Sequence, residues 1–133
     1  MDNFNLYSVL IVFLFLLIFF VYRVFKRRTQ FSFSEKAFFV RQFQKIQNES
    51  DLKHAIMESD KLLFLMLDKM GYSGNLGDKL KAGKKLFSNL EDVWFAHKLR
   101  NKIAHELNFK VDLATGKRAL KHFERAFKDL KAI

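Results

Sequence analysis

Between His97 and His105 the sequence runs HKLRNKIAH, which places two imidazoles, a guanidinium and a carboxamide within nine residues. An always-charged fork suits anion binding, and imidazole suits proton transfer near neutrality. Most other chemistries are excluded by inspection. The chain has no cysteine, so disulfides, thiolate zinc sites and cysteine nucleophiles are ruled out. His105 and Glu106 begin like a zinc-protease motif, but position 109 is Phe and no second histidine stands at the needed spacing. Gly71, Gly74 and Gly77 resemble a turn more than a phosphate-binding loop, because no strand precedes them and no Gly-Lys-Ser/Thr closes them. Serine nucleophile elbows and paired acid clusters are missing. No cofactor and no metal site is expected.

The element that must position these groups is a helix. Ser88-Asn89-Leu90-Glu91 has capping-box spacing and is predicted to open a helix that ends near Asn108, a suitable left-handed cap. Along it Ala96, Leu99, Ile103 and Leu107 recur at spacings of three, four and four, a stripe that should face the core. At about 100° per residue, His97, Asn101 and Ala104 then line the centre of a second face, with Arg100 and His105 at its edges. Leu90, Val93 and Trp94 extend apolar surface onto that face at the helix start. A face of this kind is built to meet a second body, such as another copy of the chain, and Ala104 is small enough to allow close approach. On residue type alone, an arginine such as Arg100 is most often a solvated charge, and His105 suits the helix dipole at a last turn.

The surrounding segments read as further helices. Ser32-Phe33-Ser34-Glu35 is another capping box, followed by Phe39, Phe43 and Ile46 at helical intervals, so a helix is predicted from about Ser34 to Gln47. Leu52, Ala55, Ile56, Ser59, Leu62, Leu63, Met66, Leu67 and Met70 fall on one stripe of a second helix. A short basic helix from about Asp78 to Phe87 should point Leu80, Leu86 and Phe87 inward. A last one from about Gly116 to Leu130 carries Ala119, Leu120, Phe123, Ala126, Phe127 and Leu130 on one face. Proline is absent and only five glycines occur, so little interrupts these helices. The expected fold is all-α, with a bundle of four to five helices over residues 32–133.

Residues 1–28 are of another kind. No residue from Asn3 to Tyr22 is charged, and the stretch from Val9 to Phe20 is apolar on every side. Twenty such residues in a helix span about 30 Å, the thickness of a hydrocarbon core, and the absence of a polar stripe argues against a buried core helix. Phe4, Val9, Phe20 and Tyr22 would contact lipid. Arg23, Lys26, Arg27 and Arg28 follow at once, and only Asp2 precedes, so the positive-inside rule puts the N-terminus outside and the bundle in the cytoplasm. The acidic leader and the bulky end of the apolar run do not fit a cleaved signal peptide. A retained single-pass anchor is expected, with membrane lipids as its partners.

Beyond Tyr22 the chain holds 24 basic and 13 acidic residues, a net +11 that favours RNA, DNA or an anionic lipid surface. A solvated basic face together with topology-setting charges would account for the same excess.

The run from Leu99 to Glu106, LRNKIAHE, resembles the signature of the HEPN superfamily: an arginine, a polar neighbour and a histidine a few positions on. The resemblance covers roughly Ser50 to Leu130, since the helix order, the glycine-bearing loop and a motif on the third of four core helices also agree. It implies a homodimer formed across the motif helix and, in active members, a metal-independent ribonuclease. By the same resemblance His105 would be the acid or base for the ribose 2′-hydroxyl, and Arg100 would stabilise charge growing on the phosphoryl oxygens. Asn101 would bind the phosphate or orient the histidine. Two copies would bring both pairs into one cleft, with His97, Ala104 and Trp94 lining the groove or interface. Members silenced by a nucleotidyltransferase often carry tyrosine where this chain has Leu107, a departure that weakens that kind of regulation. Other members are non-catalytic dimerisation, RNA-binding or partner-binding modules, which is the alternative reading.

Overall fold

The computed structural model describes residues 3–26 and 30–133. It is all-helical, in the order α1 (Asn3–Phe25), α2 (Phe33–Gln47), α3 (Leu52–Lys69), α4 (Leu76–Ala82), a single 3-10 turn (Lys84–Leu86), α5 (Leu90–His105) and α6 (Leu113–Asp129). Helix α1 is long and apolar enough to cross a membrane, and every side chain from Leu6 to Arg23 is exposed. Arg27, Arg28 and the side chain of Phe4, expected in the anchor, lie outside the described residues.

Helix α3 is the hub of the bundle, packing against α2, α4, α5 and α6, and α5 also packs against α6. The reason lies in its sequence: Ala55, Ile56, Leu62, Leu63, Met66 and Leu67 repeat at helical spacing and are all buried. They meet Phe39 from α2, Ala96 and Leu99 from α5, and Phe123 and Phe127 from α6 in one core. Replacing any one of the three buried phenylalanines by alanine would cost about 3 to 5 kcal/mol through lost burial and a cavity. Gly116 lets α6 pack against the start of α3, because a Cβ there would stand 2.3 Å from Leu52 Cδ2.

The helix starts are set by side-chain caps. Ser32 and Glu35 form the expected capping box on α2, so that helix begins one residue earlier than predicted. Asp51 caps α3 and Asp112 caps α6, which extends α6 three residues before the expected Gly116. At α5 the cap differs from the prediction. Asn89, not Ser88, accepts from Glu91 N and Asp92 N. The Ser88 backbone N–H and hydroxyl instead donate to Asp129 Oδ2, both at 2.8 Å, tying the start of α5 to the end of α6. The helix also stops earlier than expected, at His105, and Asn108 takes the left-handed conformation (φ 57°) in the loop beyond. Leu107 therefore leaves the stripe. It is 97% exposed, while Ala96 and Leu99 are buried and Ile103 is partly so. Val93, expected on the second face, is in the core.

Candidate functional site

The groove-side residues of α5 do not stand alone. Asp60 of α3, almost fully buried, reaches across and holds two of them. Its Oδ1 lies 2.7 Å from His97 Nδ1, and its Oδ2 lies 3.2 Å from Arg100 Nε. The second contact is an ion pair whose N–H is not aligned as a hydrogen bond. The ring of contacts closes through Asn101. Arg100 Nη1 donates to Asn101 Oδ1 at 3.0 Å, and Asn101 Nδ2 lies 3.3 Å from His97 Nε2.

These four side chains line an open cleft of ≈ 540 Å³ between α3, α5 and the start of α4, together with Lys61, Phe64 and Asn75 to Gly77. The α4 wall is held in place by an unusual lysine. Lys79 is fully buried, donates to Asp68 Oδ1 at 2.7 Å and to the Tyr72 carbonyl, and stands over the Phe64 ring. A buried ammonium is stable only when its hydrogens are satisfied, so these contacts fix α4 against α3. Asn75 caps α4 in a capping box with Asp78, after a turn whose Gly74 has φ 90°. Trp94 closes one flank, edge-on to His97 at 5.8 Å and close to Gly77, where a Cβ would sit 3.4 Å from the indole.

Of the residues singled out in the sequence, Arg100, Asn101 and His97 thus share one cleft, with Trp94 beside it. His105 and Ala104 are exposed outside the cleft lining, and the His105 side chain makes no hydrogen bond or ion pair among the described residues. Asp60 was missed. The sequence did carry a signal, since Asp60 stands four residues after Ile56 and three before Leu63, so an acid occupies a position of the buried stripe. A carboxylate in such a place calls for a cationic or hydrogen-bonding partner.

Chemically, the cleft offers one guanidinium whose remaining N–H groups can turn to an anion, a carboxamide that can bond an oxygen, and an imidazole backed by a carboxylate. Among the described residues no group of three His, Asp or Glu side chains is placed to hold a metal ion. No family model, curated protein or solved structure matches the chain.

Proposed function

We propose that this chain is a membrane-anchored, HEPN-like helical domain that pairs across α5 and cleaves RNA without a metal ion. The observation that carries this reading is the placement of Arg100 and Asn101 side by side in an open cleft, with the guanidinium oriented from behind by buried Asp60. Transfer to phosphorus needs a fixed positive fork where charge grows on the phosphoryl oxygens, and preorganisation of that kind supplies much of the rate. The net +11 of the part beyond Tyr22 supports a polyanionic substrate. His105, exposed and unpartnered at the end of α5, is free to act in the cleft of a second copy, with Ala104 allowing the close approach. The basic residues that follow α1 support a cytoplasmic bundle.

A second reading, of a binding module without catalysis, draws on the ion pair itself, because a guanidinium already paired with Asp60 has less charge to offer a transition state. Full-length protein in detergent or nanodiscs, incubated with labelled single-stranded RNA in EDTA, separates the two. The enzyme reading expects cleavage that falls about 10²- to 10³-fold in Arg100→Ala. It expects a fall of about 10²- to 10⁴-fold in His105→Ala. Salt-sensitive RNA binding with no cleavage would leave only the module.

A further inference from the structure

The contact ring around Asn101 fixes where the protons lie. Arginine can only donate, so the Asn101 oxygen must face Arg100 Nη1, as it does at 3.0 Å. The amide NH₂ then faces His97 Nε2 at 3.3 Å, which makes Nε2 the acceptor nitrogen and leaves the proton on Nδ1. From the other end, the Asp60 carboxylate can only accept, and it meets Nδ1 at 2.7 Å. Both ends of the chain demand the same tautomer. The result is an imidazole held by a buried carboxylate on one nitrogen, with its lone pair toward the cleft on the other.

We infer that His97, oriented by Asp60, is a proton-accepting group of the cleft. This inference rests on the ribonuclease reading and adds to it a base on the same chain as Arg100. The features of a general base are present together. The lone pair is on a side chain that lines the cleft, and the carboxylate behind it would stabilise the imidazolium that forms. The contact at Nε2 is the longest in the ring and comes from an uncharged amide, so an incoming hydroxyl can displace it. Of the charged groups lining the cleft, Asp60 and Lys61 come from α3 and Arg100 from α5, and the α4 wall adds none.

In the reaction, the ribose 2′-hydroxyl passes its proton to His97 Nε2 while its oxygen bonds to phosphorus and the P–O5′ bond breaks. The departing oxygen takes a proton from His105 of a second copy, which leaves a 2′,3′-cyclic phosphate and a 5′-hydroxyl. Exchange with water then returns both imidazoles to their starting forms. His97 would thus act as base and His105 as acid, with no need for two equivalent copies of His105.

The test uses the full chain with single-stranded RNA. His97→Ala should lose about 10²- to 10⁴-fold in cleavage while binding an uncleavable 2′-deoxy-substituted RNA within about threefold of wild type. Free imidazole added to the buffer should restore part of that loss, and should not restore Arg100→Ala. His97→Asn guards against misfolding, because its amide can still donate to Asp60 in the place of Nδ1 while offering nothing at Nε2, and it should be equally slow. Full activity in either variant, or a loss in folded His97→Ala that imidazole leaves untouched, overturns the role of His97 while the ribonuclease reading stands. Absence of cleavage by the wild-type chain overturns both.

Discussion

An aspartate–histidine–arginine group stands on each of two flanks of helix α5, one shared with α3 and the other with α6. On the α3 side, Asp60, His97 and Arg100 border open space. On the α6 side, His122 Nδ1 lies 3.3 Å from Asp92 Oδ2, and Arg118 Nε donates to His122 Nε2 at 3.2 Å. There Phe95 fills the gap, edge-on to His122 at 5.6 Å and beneath the Arg118 guanidinium at 4.3 Å. The decisive difference is what sits on Nε2. At His122 it is a cation on a neighbouring turn, which opposes protonation and occupies the lone pair. At His97 it is a neutral amide beside a cleft. The same three residue types therefore line a cleft in one place and make a surface contact around an aromatic ring in the other, so residue type alone does not identify a site.

The comparison can be broken most forcefully at the acids. Asp60→Ala removes the buried member of its cluster and leaves Arg100 without a counter-charge and His97 Nδ1 without an acceptor, so it should lower unfolding free energy by about 3 kcal/mol. Asp92 is more exposed, and Asp92→Asn should cost about 0.5 kcal/mol. Urea denaturation of the two variants side by side checks the pair, and equal losses would mean that the clusters do not differ as described. Next in size is Phe95→Ala, which opens the α6-side contact and should cost about 2 kcal/mol while leaving the proposed RNA binding unchanged in a filter assay.

The smallest effect is a dependence on pH. Burial, ahead of the opposing pull of Asp92, holds His122 below the ordinary histidine range, with Arg118, Lys121 and Arg125 adding to the depression. The unfolded chain then binds the proton more readily, so the penalty is absent above about pH 6.5 and stability falls as pH drops through that value. His54 works in the opposite sense. Its hydrogen bond to Glu49 raises it, so its contribution is present below about pH 6.5 and fades as pH rises. Melting curves taken at about pH 8 and about pH 5.5 should show a smaller acid-side loss in His122→Gln than in wild type.

Much of the fold was legible because local signals and packing agree. The apolar run of α1, the Ser32 box and the α3 stripe are each set by residues adjacent in sequence. What escaped depends on contacts between distant segments. Ser88 has the spacing of a cap but is drawn away by Asp129, forty-one residues on. Leu107 continues the stripe numerically, yet the helix has already ended at His105. Lys79 looks like one more surface charge until Asp68 and the Tyr72 carbonyl enclose it. The site divides in the same way. The face carrying His97, Arg100 and Asn101 could be read from helical geometry, whereas its dependence on Asp60 spans thirty-seven residues and needs the packed bundle.

Phe31 has a consequence for where the bundle can travel. It is buried and packs edge-on against Phe39 at 4.9 Å, so the chain is fastened to the bundle just before α2 starts. From Phe25, the last residue of α1, only six peptide steps lead to that fastening, a leash of at most about 21 Å. A domain of this size is roughly 30 Å across. With α1 in a bilayer, the domain cannot rise clear of the surface by its own diameter. If the chain pairs and acts on RNA as proposed, two copies would search for each other by sliding in a plane, and a long nucleic acid would have to come down to the lipid to be met.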